Sequence, residues 1–134
     1  MPVTMDPRLP APIEDYALIG DCETAALVSR AGSIDWLCWP RFDSGACFAA
    51  LLGDSSNGRF LVRPSDSAAR ATRNYRDGTL ILETHWMTPG GEAQVIDFMP
   101  LRGANSDLMR IVRGLHGKIE FCAELLLRFD YGRS

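Results

Sequence analysis

The residue types that could do chemistry are concentrated in one run, SIDWLCWPRFDS (residues 33–44), which holds Trp36, Trp39, Arg41, Phe42 and Asp43. Aromatic faces stack on sugar rings, and a guanidinium and a carboxylate make charge-assisted hydrogen bonds to hydroxyls. Trp36, Arg41, Phe42 and Asp43 are therefore candidate substrate-proximal residues for a carbohydrate. A plainer reading carries more weight: tryptophans in a hairpin serve a core, and an Arg-Phe-Asp turn closes on its own ion pair. Little else competes, because the sequence has no Gly-rich phosphate loop, HExxH pair or GxSxG elbow. Cys22, Cys38, Cys47 and Cys122 form no CxxC pair and have no histidine at ligand spacing, so no metal and no cofactor is expected. They read as reduced, buried thiols. His85 and His116 look isolated, one on the solvent face of a strand and one in a turn. Asp21, Asp54, Asp77 and Asp107 sit at turns, where a short carboxylate bonds the local backbone.

A loop with that content needs a rigid support, and the flanking pattern supplies one. Residues 24–28 (TAALV) and 34–39 (IDWLCW) flank RAGS at 30–33, and a glycine-containing link of that length between β-forming runs predicts a hairpin. With period 2, Ile34, Trp36 and Cys38 fall on one face and Asp35, Leu37 and Trp39 on the other. Pro40 then removes a backbone donor and ends the ladder, leaving residues 41–44 in a loop just beyond it.

The rest of the 134 residues reads as short strands punctuated by turns. Residues 1–12 hold four of the eight prolines and read as an extended arm, with the domain itself over 13–134. ACFAALL at 46–52 is rich in helix formers between two glycines and predicts one short helix, the only one. Strands are expected over 59–63, weakly over 70–75, clearly over 79–88, and over 94–99 as the antiparallel partner of the last. A third hairpin is expected from 108–113 and 119–129 around the link at 115–118. In its second strand Ile119, Phe121, Ala123, Leu125, Leu127 and Phe129 form a core face, with the opposite face mostly wet. Turns about every ten residues predict an all-β fold, an antiparallel β-sandwich. The net charge of -3 provides no concentrated positive field for phosphates, so nucleic acid is not expected as a partner. No apolar run reaches the length of a membrane span, and the first residues lack the layout of a secretory signal, so no membrane partner and a cytoplasmic location are expected.

These residues resemble a known family, the N-terminal β-sandwich domain of bacterial glycoside hydrolase family 15 enzymes, the glucoamylase-like and trehalase-like group. The resemblance runs through PIEDYALIGD (12–21), TAALVSRAGSIDWLCWPRFDS (24–44), FAALLGD (48–54), YRDGTLILET (75–84), VIDFMP (95–100), MRIVRG (109–114) and LRFDYG (127–132). Family members commonly have proline where this chain has Gly45, and an aliphatic residue where it has Trp39. The resemblance implies part of a larger super-β-sandwich that precedes a catalytic (α/α)6 barrel, whose two glutamates hydrolyse α-glucosidic bonds with inversion. The barrel is absent from these residues. The expectation is thus a non-catalytic N-terminal domain that packs against the barrel, shapes its oligo- or disaccharide entrance, and self-associates through a truncated edge when alone. The alternative is a stand-alone carbohydrate-binding or protein-interaction β-sandwich.

Overall fold

The predicted hairpin stands at the centre of one sheet of a two-sheet sandwich. The computed structural model describes residues 10–132. The first sheet runs in the order β1 (Tyr16–Gly20), β2 (Ala25–Ser29), β3 (Ser33–Cys38), β5 (Arg59–Pro64), β10 (Phe121–Leu126), all antiparallel. A short β4 (Ala46–Phe48) shares the far edge of β3, lying beside Leu37 and Cys38 while β5 lies beside Ser33 and Ile34. The second sheet is the meander β6 (Arg70–Tyr75), β7 (Leu82–Thr88), β8 (Gly91–Phe98), β9 (Met109–Gly117). The expected sandwich is thus what forms. Of the proline-rich arm, residues 1–9 lie outside the described residues.

Between the sheets lie Ile19, Val28, Ile34, Leu37, Phe48, Leu82 and Met99, with Trp39 and Phe60 packed against them. The predicted face alternation of the central strand is corrected by a bulge. Leu27 pairs with Trp36 and Val28 with Ile34, so Asp35 is an extra residue on β3 and the phase flips across it. Ile34 and Leu37 then share the core, while Trp36 and Cys38 form a separate cluster with Ala46 and Ala49. Asp35 is buried with no cation beside it among the described residues; its carboxylate accepts from the Tyr16 and Ser33 hydroxyls, both at 2.5 Å.

Three further expectations change. Residues 46–52 do not form a helix: Ala46–Phe48 is strand β4, and only Ala50–Leu52 makes a 3-10 turn. Helix propensity is a weak preference, and the open ladder of β3 at Leu37 and Cys38 takes these residues instead. Further 3-10 turns occur at Ile13–Asp15, Ser55–Asn57 and Phe129–Gly132. The third hairpin does not exist either. β9 continues through Leu115 and His116 alongside β8, and the chain then crosses to the other sheet, where β10 pairs with β5. His116 is therefore a strand residue opposite Glu92 rather than a turn residue, and His85 Nε2 lies 3.0 Å from Glu92 Oε2, so His85 is not isolated. Finally, the face of 119–129 expected in the core is largely open. Leu125, on the edge strand β10, is 57% exposed, and Leu127 and Phe129, which follow that strand, are 41% and 55% exposed.

The two sides of the sandwich differ in how they are closed. On the β1/β6 side the Tyr75 hydroxyl donates to Leu18 O at 2.8 Å and accepts from Leu18 N at 2.9 Å. Arg73 crosses between the sheets there to Val28 O and Asp15 O. On the β9/β10 side, apolar side chains line a cleft of about 360 Å³ walled by Leu37, Phe48, Phe60, Leu108, Leu125 and Leu127. Deeper in, Arg110 of β9 binds Asp97 of β8 at 2.7 Å and donates to Phe60 O at 2.6 Å and Gly32 O at 2.9 Å, joining the sheets. Gly32 has φ +86 and a Cβ there would meet Val62 O at 2.3 Å, so the turn that offers this carbonyl requires glycine.

Candidate functional site

Residues 39–45 leave β3 through a cis Trp39–Pro40 peptide and form a tight excursion held by its own backbone. Ser44 N donates to Arg41 O at 3.1 Å, and Arg41 N to Ser44 Oγ at 3.2 Å. Phe42 N donates across to Glu23 O at 2.9 Å, which docks the loop on the turn between β1 and β2. This arrangement turns Arg41, Phe42 and Asp43 outward. They line a depression of about 230 Å³ together with Cys22 and Glu23. Phe42 is 62% exposed, and Arg41 Nε lies 3.3 Å from Asp43 Oδ1 in a pair that is itself exposed. The expected ion pair therefore forms, but at the surface, where such a pair contributes little to stability.

Trp36 does not join them. It packs half-buried on Cys38, Ala46 and Ala49, with its ring 6.4 Å from that of Tyr131. Trp39 is half-buried against the main core and Trp86 is buried in the second sheet, its face 5.6 Å from the Arg63 guanidinium. Of the four candidate residues, three meet in one depression and the fourth is elsewhere.

Glu23 ties the depression to Asp21, expected at a turn, and to Arg102, which the sequence did not single out. Asp21 Oδ1 accepts from Glu23 N and Thr24 N, both at 2.9 Å, the turn chemistry expected of it. Its other oxygen is 2.9 Å from Arg102 Nη2, and Arg102 Nε is 2.9 Å from Glu23 Oε2. Arg102 also donates to Pro40 O and to Ser106 Oγ. Burial pushes the Asp21 carboxyl up, but the two N–H groups and Arg102 outweigh it and hold it below its usual value. No local signal reveals Arg102, which reaches the site from 81 residues away.

Cys22, Cys38, Cys47 and Cys122 are all free, but only Cys38 and Cys47 are buried; Cys22 and Cys122 are exposed, one at a turn and one on an edge strand. Burial first of all pushes the Cys47 thiol up to about 11, so it is inert as a nucleophile. Among the described residues no group of three or more His, Cys, Asp or Glu side chains is placed to hold a metal, and no helix is long and apolar enough to cross a membrane.

The described residues form an antiparallel two-sheet sandwich with one outward loop. The comparisons make that class of fold more specific. The family described as trehalase-like, N-terminal matches residues 6–134, and the chain belongs to that family. It is 37% identical to a trehalase of Mycolicibacterium smegmatis over 91% of this chain and 21% of that protein. It is 36% identical to a trehalase of Mycobacterium tuberculosis with the same coverage, and 34% identical to trehalase 1 of Sulfolobus acidocaldarius over 90% of the chain and 20% of the relative. The chain thus spans about a fifth of the length of the curated relatives it matches. No solved structure matches significantly.

Proposed function

We propose that this chain is the non-catalytic N-terminal domain of a trehalase-type α-glucoside hydrolase, packing against a catalytic barrel and presenting residues 41–43 at its sugar entrance. The observation that carries the reading is the match over nearly the whole chain to a fifth of each trehalase. The chemistry of the depression agrees with it: Glu23 is bound by Arg102 and Asp43 by Arg41, so neither carboxylate stands ready as a free acid or base. The tryptophans form no open stacking platform, since all three are buried or half-buried and only Phe42 offers an open ring at the loop. The exposed apolar residues on and just after β9 and β10, among them Val112, Leu125 and Leu127, suit packing against a further domain. They are also where isolated copies would meet.

The test uses the purified chain with trehalose, maltose and isomaltose. No glucose release is expected, and measurable release would overturn the reading. Sedimentation of the same sample should show self-association rising with concentration; a strict monomer at high concentration would count against the role given to the open edge.

A further inference from the structure

We propose that Arg102 is the positioning residue of the 41–43 loop, fixing Glu23, Arg41 and Phe42 as a preformed surface for an uncharged, hydroxyl-rich sugar; this rests on the function proposed above. The guanidinium sits between two turns that sequence separates widely. On one side it grips the buried Asp21 and the Glu23 carboxylate, and on the other the carbonyl of Pro40, where the loop begins. Phe42 N then closes the ring onto Glu23 O at 2.9 Å. Five donors in a rigid fork allow one arginine to hold all these acceptors together, which a lysine point charge does not.

The consequence for recognition follows from the charges. Glu23 and Asp43 flank Arg41, and each carboxylate is bound to a guanidinium while retaining unused lone pairs. Such a surface accepts hydrogen bonds from hydroxyls and stacks the exposed Phe42 ring on a sugar face, but the three carboxylates of Asp21, Glu23 and Asp43 outnumber the Arg41 and Arg102 guanidiniums and disfavour a phosphorylated sugar. A surface held before the ligand arrives loses less ordering entropy on binding.

Arg102→Lys keeps a cation beside Asp21, so the fold is retained, while the fork is lost. Two readouts separate the claims. Cys22 lines the same depression and its thiol is exposed, so its alkylation rate, mapped by mass spectrometry apart from Cys122, reports the order of the loop. Trehalose and trehalose phosphate titrations, followed by the backbone amide signals of residues 22–23 and 41–43, report the sugar. Wild type should respond to trehalose and not to the phosphate. Arg102→Lys should alkylate Cys22 faster and bind trehalose more weakly, each on the order of tenfold for the lost charge-assisted bonds. Arg76→Lys, which touches only an exposed pair with Glu83, should change neither. Unchanged Cys22 reactivity in Arg102→Lys overturns the positioning role. Faster alkylation with no trehalose response in wild type upholds the clamp but overturns its link to sugar and the entrance reading with it. A stronger response to the phosphate overturns the ligand class.

Discussion

Replacing Arg110 by alanine should be the most damaging single change in this domain. The Arg110 and Asp97 side chains are only 3% and 1% exposed, and together they connect β8 and β9 to Phe60 O and Gly32 O of the opposite sheet. Removing one partner of a buried pair strands the other charge, at a cost of about 3–5 kcal/mol. Phe60 O and Gly32 O each lose a donor, though Gly32 O keeps the one from Val62 N. A domain is stable by only about 5–15 kcal/mol, so the change consumes a large share. With a urea dependence of about 2 kcal/mol per molar, the unfolding midpoint should fall by roughly 1.5–2.5 M, read by tryptophan fluorescence. The cause is separable from simple loss of packing. Asp97→Leu with Arg110→Met removes both charges and fills the space, so it should be more stable than Arg110→Ala alone. It should stay below wild type, because the Gly32 and Phe60 carbonyls lose the charge-assisted hydrogen bonds from Arg110 that join the sheets. An Arg110→Ala midpoint within about 0.5 M of wild type, near the scatter of such extrapolations, would refute the argument. So would a double variant weaker than the single one.

The remaining predictions concern the buried carboxylate and the C-terminal turn. Burial, with the hydrogen bond and charge of Asp35, holds the Tyr16 hydroxyl well above the usual phenol range. A raised folded value stabilises fully below the unfolded tyrosine value of about 10 and is lost as pH rises past it. Tyr16→Phe should therefore be less stable than wild type at neutral pH, with the gap narrowing in strong alkali; urea midpoints that stay equally far apart at both pH values would contradict this. At Gly45, a Cβ would stand 2.8 Å from Asp130 Oδ1 and 3.1 Å from Asp130 Cα. Gly45→Ala should lift Phe129–Gly132 off β4 at a cost of about 1–3 kcal/mol and speed alkylation of the buried Cys38. A Cys38 that stays as protected as in wild type would show that the turn accommodates the methyl.

What the sequence revealed and what it hid follow from the range of the interactions involved. The β6–β7–β8 meander and the β2–β3 hairpin were legible because alternation and turn residues are local, and each pairs strands adjacent in the chain. The bulge at Asp35 was not, since a single extra residue leaves no mark in composition yet reverses which side chains reach the core. β4 was misread because ACF has helix-compatible residues and only the waiting edge of β3 makes it a strand. The strong alternation of 119–129 did signal a strand. Its partner was hidden, because pairing with β5 lies some sixty residues back in the chain. At the site, the loop itself was visible as a cluster of aromatic and charged residues, whereas Arg102 and Glu23 enter through contacts that only the fold creates.

The segments that carry the family resemblance coincide with the joints of the sandwich. PIEDY contributes Asp15 O to Arg73 and the Tyr16 hydroxyl to Asp35; RAGSIDW contributes the Gly32 carbonyl, Ser33 and Asp35. VIDFMP and MRIVRG contribute the two halves of the Asp97–Arg110 pair, and YRDGTLILET contributes the Tyr75 hydroxyl that closes the β1 edge. Buried polar groups of this kind tolerate few replacements, because each acceptor or donor left alone has a desolvation cost. Arg41, Phe42 and Asp43 answer to no such constraint, since their exposed contacts contribute little to the fold. Side chains that the fold does not need are free to answer to a demand outside this domain's own stability. The sugar entrance proposed above is a demand of that kind, and it predicts that Arg41→Ala leaves the urea midpoint in place while removing the trehalose response of the loop amides. A midpoint that falls as far as it does for Arg110→Ala would return the loop to a purely structural role.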